Sequence, residues 1–300
     1  MQIDSIDRES LMKLLLAVLL LYFHDGYLEC AQVSGSTSSH HGGVCAIVDR
    51  LGGIHSVLET SHESMHMLLS EFASTDLTTV MLKGGQPAFP PDVWDTIDKR
   101  SVWWGTDISR QSSLASVFKQ TSRLAWYLDA LQNGTEELYM ATIRDFEASL
   151  SPIYACITDA DGDGEDDDGA ETETNHRFTL IRAFQHAALI YTYRAICGLA
   201  VSHSLVQQHV LPCVECILDI KQPSKVLNCV IFPLLVAGAH VQSPRHQKAI
   251  LSLIHAIREE MRFASFHSVS DVLSSIWKSE QEDVTWFEMF AELGSDSIVL

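Results

Sequence analysis

Apolar residues recur along this chain with the period of an α-helix, and this pattern limits the fold more than any other sequence feature. In residues 246–261 five apolar side chains share one helix face: Ile250, Leu253, Ile254, Ile257 and Met261. A helix that packs against a core requires such a face. Few stretches show the alternation of a β-strand. The sequence therefore predicts an all-α fold, a multi-helix antiparallel bundle-like domain of roughly ten to twelve helices.

An acidic stretch divides the helical pattern into two blocks. We expect the 300 residues to form a single domain, with helical blocks at 1–157 and 174–300 and a connector at 158–173. Nine of the 39 acidic residues fall in this connector, and so dense a run of like charge stays solvated. We therefore predict that the connector is disordered. It begins like an EF-hand calcium loop, but Ala170 stands where that loop needs a bidentate glutamate.

Charge and cysteine content limit the possible partners and the cellular compartment. The formal net charge is −19, and an acidic surface repels phosphate backbones, so we expect no direct binding of nucleic acid. Seven scattered cysteines fit reduced thiols in a reducing compartment. The Cys213–Cys216 pair has no second pair at zinc-site spacing, so we interpret it as two core-facing thiols rather than a redox or metal pair.

Three local predictions concern how the chain folds. The apolar run at 11–23 follows an acidic flank, so we interpret it as a buried core helix capped near Asp7 or Ser10, not as a signal peptide or a membrane span. The polar, small-residue stretch at 31–43 is typical of a loop. Pro212 should kink or interrupt its helix.

The sequence HESMH at positions 62–66 matches the H-E-x-x-H pattern of zinc peptidases. On a helix, His62 and His66 would bind the metal and Glu63 would activate water. The chain offers no clear third ligand on a later helix, and the alternative is a helix face with both histidines near solvent. No nucleophile or nucleotide-binding motif is present. We therefore predict a protein that is not an enzyme and needs no cofactor.

The C-terminal half carries a pattern of apolar helices with fixed polar and aromatic positions. Its residues are Ala188, Tyr191, Tyr193 and Arg194, then Pro233, Leu234, Ala237 and Gly238, then Val269, Leu273, Trp277 and Trp286. This pattern resembles the regulatory domain of fungal transcription factors that carry a six-cysteine zinc cluster. Segments 45–53 and 71–89 resemble the same domain more loosely. Nowhere in these 300 residues do six cysteines fall at the spacing of the cluster.

The resemblance implies a regulatory domain in the nucleus that modulates RNA polymerase II transcription. It would act through a protein partner or a small-molecule effector, away from any membrane, and a homodimer is left open. Tyr191 and Arg194 would line a ligand cavity between helices. Two alternatives from the residues themselves are a zinc-dependent peptidase centred on HESMH and a helical interaction scaffold that uses the acidic connector as a docking tail.

Overall fold

The computed structural model describes residues 7–28, 35–99, 102–104, 113–152, 168–221, 224–261, 263–279, 284–293 and 297–300. Within these ranges the chain forms helices and no β-strand, which confirms the all-α prediction. Among the described residues there are 13 α-helices, 11 of which are at least 7 residues long.

The helices of the N-terminal half are α1 (Arg8–Phe23), α2 (Ser36–Arg50), α3 (Ile54–Thr60), α4 (Glu63–Lys83), α5 (Val93–Ile97), α6 (Leu114–Gln132) and α7 (Met140–Leu150). Those of the C-terminal half are α8 (Asp168–Tyr191), α9 (Ser204–Asp219), α10 (Ile231–His240), α11 (Pro244–Met261), α12 (Ser265–Lys278) and α13 (Trp286–Met289). Single π-helical turns, His24–Leu28 and Thr192–Ile196, follow α1 and α8.

Helix α8 begins inside the stretch that we predicted as a disordered connector. Residues 168–173 belong to the helix, whereas residues 158–167 lie outside the described residues. The last part of the predicted connector is therefore helical.

Helix α1 is capped as predicted but is buried on one side only. The Asp7 carboxylate accepts a hydrogen bond from the backbone N–H of Ser10 at 2.9 Å, which satisfies one of the free donors of the first turn. The buried side includes Leu11, Leu15 and Leu19. The opposite side is exposed and apolar, so the prediction of a buried helix is wrong for that side.

By length and composition alone, the segment Arg8–Leu28 is apolar enough to cross a membrane. Core helices of soluble proteins and N-terminal signal sequences pass the same test. In this fold the segment packs along α2 and contacts α4.

The predicted loop at 31–43 is wrong from Ser36 onward, because α2 starts there. Residues 31–34 lie outside the described residues. A Cβ atom at Gly43 would lie 3.3 Å from Cγ1 of Val18 on α1. The small residues therefore allow two helices to approach closely, and this packing outweighs the low helix propensity of glycine and serine.

Pro212 does not interrupt α9, which is continuous from Ser204 to Asp219. The helix packs along α8 and α10 and buries Val210, Cys213 and Val214. This burial stabilises the helix despite the backbone hydrogen bond that proline cannot donate.

The last described residues tie the two halves of the chain together. Ile298, Val299 and Leu300 are buried. The carbonyl of Val299 accepts a hydrogen bond from the Thr78 hydroxyl on α4, and the carbonyl of Leu300 accepts one from the backbone N–H of Phe232 on α10 at 3.1 Å. Residues 297–300 therefore contribute to one core shared by both halves.

Candidate functional site

A cleft of about 560 Å³ opens between the C-terminal ends of α10 and α12, the start of α11 and the segment around α13. This volume lies in the range of small-molecule sites. Apolar side chains form much of its lining, among them Val241, Ile276, Trp277 and Met289.

The polar groups of the cleft define which ligands it can accept. The amides of Gln242 and Gln247 line it together with three serines, Ser202, Ser275 and Ser279, and two acids, Glu288 and Glu292. No lysine or arginine is among the described lining residues. Because two carboxylates repel an anion, the cleft favours a neutral or positively charged molecule that donates hydrogen bonds.

The wall formed by α13 is anchored by Trp286. This side chain is 2% exposed, and its Nε1–H donates to the carbonyl of Met81 on α4 at 2.6 Å. Its ring contacts Tyr191 edge-on at 5.2 Å and stacks on His240 at 5.8 Å. The short helix is therefore held by α4, α8 and α10.

Arg194 lies behind the same wall. Its guanidinium donates to the carbonyls of Val284, at 2.7 Å, and Leu199. Val284 lines the cleft, and Leu199 precedes the lining residue Ala200. Burial lowers the pKa of Arg194. The structure thus brings Tyr191 and Arg194 together around α13, but neither is among the described residues that line the cleft.

His240 completes this buried group in its neutral form. Burial, together with the charge of Arg194, lowers its pKa to about 3, although a hydrogen bond to Val236 acts in the opposite direction. Its Nδ1–H donates to the carbonyl of Val236 at 2.7 Å, so Nε2 is the acceptor for the Nε–H of Arg194 at 3.1 Å. The histidine therefore links α10 to the π-helical turn after α8.

The HESMH segment does not form the paired histidine face that a zinc site needs. His62 is the extended N-cap residue of α4, and its Nδ1 accepts the N–H of Ser64. His66 is buried, which corrects the expectation of a solvent-facing position, and its Nε2–H donates to the carbonyl of Ser61 at 3.2 Å. Among the described residues no three His, Cys, Asp or Glu side chains are grouped so that they could hold a metal.

The Cys213–Cys216 pair faces the core, as predicted. Both thiols are free and buried, and the Sγ–H of Cys213 donates to the carbonyl of Ala183 at 3.3 Å. Burial raises the pKa of both thiols. Neither cysteine therefore has the environment of a reactive thiolate.

Sequence reasoning missed the cleft because its polar residues form no motif. Gln242 and Gln247 flank the start of α11, and Glu292 follows α13 about 45 residues later, so only the fold brings them together. Their polar character near helix ends was the signal available, and it does not distinguish a cleft from an ordinary surface.

Comparison with known proteins identifies one family. The family model of the fungal specific transcription factor domain matches residues 2–300. Neither the search of curated proteins nor the search of solved structures gave a match.

Proposed function

Because this chain belongs to the fungal specific transcription factor domain family, we propose that it modulates RNA polymerase II transcription through an effector bound in the cleft. Membership gives the chain a regulatory role in a fungal transcription factor and implies a nuclear protein. Domains of this family are generally not enzymes.

The observation that carries the proposal is the cleft of about 560 Å³ with its two carboxylates and two amides. We expect the effector to be a small neutral or cationic metabolite with several hydrogen-bond donors. Apolar contacts with Trp277 and Met289 would supply affinity, and the amides and carboxylates would select its polar groups.

The position of α13 suggests how binding changes the domain. A ligand in the cleft would contact Val284, Glu288 and Met289, and the same segment is held from behind by Trp286 and Arg194. A ligand that binds one arrangement of this segment better than another shifts the population between them. The proposed signal is therefore a change in how α13 packs on α4 and α10.

A panel of small molecules tests the ligand class. The melting temperature of the chain is measured with amines, polyols and matched phosphorylated compounds. We expect a neutral or cationic compound to raise it and its phosphorylated counterpart to have no effect. Stabilisation by phosphorylated compounds alone would contradict the proposed ligand class.

The exposed side of α1 supports a second part of the proposal, a homodimer. Leu14, Leu20 and Leu21 are 45%, 53% and 47% exposed, and apolar patches on a surface mark interaction sites. At a net charge of −19, two copies repel each other except where the surface is uncharged. From Leu14 to Phe23, α1 has no charged side chain. Leu14, Ala17 and Leu21 follow heptad spacing, so we propose that α1 pairs with α1 of a second copy.

Light scattering in solution tests the dimer. The double substitution Leu14→Gln and Leu21→Gln, on the proposed seam, should convert a dimer into a monomer. The matched control is Leu211→Gln with Leu218→Gln, two exposed leucines of α9, which should leave the mass unchanged. A wild-type chain that is monomeric at every concentration would contradict this part.

A further inference from the structure

A cysteine, a histidine and an aspartate form a hydrogen-bonded row between α2 and α4. His41 and Cys45 are one turn apart on α2, with 4.0 Å between His41 Nδ1 and Cys45 Sγ. The other ring nitrogen, Nε2, lies 2.7 Å from Oδ1 of Asp76 on α4. The second carboxylate oxygen accepts the backbone N–H of Ala88 at 2.7 Å. This is the order of groups that activates a nucleophile: a thiol, an imidazole and a carboxylate that orients it.

The aspartate keeps the imidazole charged. Burial would favour neutral His41, but its hydrogen bonds to Asp76 and Cys45 and their charges outweigh burial and raise its pKa to about 10. Both ring nitrogens therefore carry a proton at neutral pH: Nε2–H donates to Asp76, and Nδ1–H faces the sulfur. Nδ1–H therefore offers a proton beside the sulfur, where a general acid can act.

Cys45 is also partly exposed. One turn earlier, a Cβ atom at Gly42 would meet nothing within 4 Å. The surface of α2 is therefore open on the approach to this residue.

Another partly exposed cysteine offers a contrast within the same chain. Cys197 is also partly exposed, but burial and the charge of Glu147 raise its pKa. Glu147 lies near Cys197, whereas Cys45 faces the Nδ1–H of His41. Exposure alone would make the two cysteines similar, so a difference in their reactivity would come from these neighbours.

We propose that Cys45 is an oxidation site for small hydroperoxides, with His41 as the proton donor to the departing oxygen and Asp76 as the residue that positions His41. The thiolate sulfur attacks one peroxide oxygen, an S–O bond forms and the O–O bond breaks. Sulfur is oxidised to a sulfenic acid and the peroxide is reduced. The leaving hydroxide takes a proton from the His41 imidazolium and departs as water. This site is separate from the cleft and does not depend on the proposed function.

The test treats the full chain with hydrogen peroxide and traps sulfenic acids with dimedone, and peptide mass spectrometry then follows each cysteine separately. Cys45 should be trapped at least about tenfold faster than Cys197. The substitution His41→Gln should lower the trapping rate of Cys45 about tenfold and leave that of Cys197 unchanged. A Cys45 rate no higher than that of Cys197, or a rate unaffected by His41→Gln in a folded protein, would overturn the proposal.

The comparison of Cys45 with Cys197 in the wild-type chain needs no variant, so it decides the matter if His41→Gln unfolds the chain.

Discussion

Trp286 and Trp277 each donate an indole N–H to a backbone carbonyl, but their surroundings differ. Trp286 is buried, and its acceptor, Met81, has one of the last four carbonyls of α4, which lack partners within the helix. Trp277 is partly exposed, and its acceptor, Gly238, also accepts the N–H of Val241. Trp286→Phe should therefore lower the free energy of unfolding by about 1–3 kcal/mol.

The matched substitution Trp277→Phe should cost less, because water and Val241 still satisfy the carbonyl of Gly238. Urea denaturation of both variants measures the difference. A larger loss for Trp277→Phe would show that the indole of Trp286 is not an important anchor.

Two buried histidines, His186 and His240, and the partly exposed His209 predict sensitivity to acid. Burial lowers the pKa of His186 and His209 to about 4 and that of His240 to about 3, from the usual 6.5. Because the unfolded chain binds these protons more readily, the stability they contribute is present above pH 6.5 and is lost as the pH falls towards 4. Each group contributes a slope of at most about 1.4 kcal/mol per pH unit.

His240→Gln tests this dependence, since glutamine keeps one donor and one acceptor but does not titrate. We expect the unfolding free energy, measured in urea between neutral and acid pH, to fall less steeply than in the wild type. An unchanged slope would mean that His240 does not stay neutral in the fold.

At the scale of helices, two glycines should respond oppositely to a methyl group. A Cβ atom at Gly238 on α10 would lie 3.1 Å from both terminal methyl carbons of Leu273 on α12, a residue that is itself fully buried. A Cβ atom at Gly42 on α2 would meet nothing within 4 Å. Gly238→Ala should therefore destabilise the chain by about 1 kcal/mol, because the cost of overpacking against Leu273 exceeds the gain in helix propensity.

Gly42→Ala should stabilise it by about 0.5–1 kcal/mol through helix propensity alone. Thermal or urea unfolding of the two variants gives both signs. Stabilisation by Gly238→Ala would contradict the close approach of α10 and α12.

The sequence predicted helices wherever apolar residues keep the helical period, as in α11. It predicted a cap near Asp7 or Ser10, and the structure has it at Asp7. It failed at α2, where Gly42 and Gly43 indicated a loop although packing against α1 favours a helix. It predicted that Tyr191 and Arg194 would line a cavity together. It could not show that Tyr191 would contact Trp286 and that Arg194 would bind the carbonyl of Val284, behind the wall of the cleft. Such contacts join residues distant in sequence, which periodicity does not detect.

At the scale of the whole molecule, the segment 297–300 contacts both halves of the chain, so the two halves should unfold together. Ile298 is buried, and its N–H donates to the carbonyl of Gly26 at 3.3 Å. Ile298→Ala should lower the free energy of unfolding by about 2–5 kcal/mol, and unfolding should remain one transition. Leu253→Ala, at a partly exposed position on α11, is the milder control. Two separate transitions in the wild type would contradict a single domain.

Transcription measured with the chain fused to a heterologous DNA-binding domain tests the central claim, that the cleft governs a regulatory output. Ser202→Trp fills the cleft from an exposed position in its lining, and Ser252→Trp places the same side chain on the exposed side of α11. We expect reporter output to respond to nutrient conditions with the wild type and with Ser252→Trp, and to lose that response with Ser202→Trp. A response that survives Ser202→Trp unchanged, or a wild-type fusion that never alters the reporter, would contradict the account.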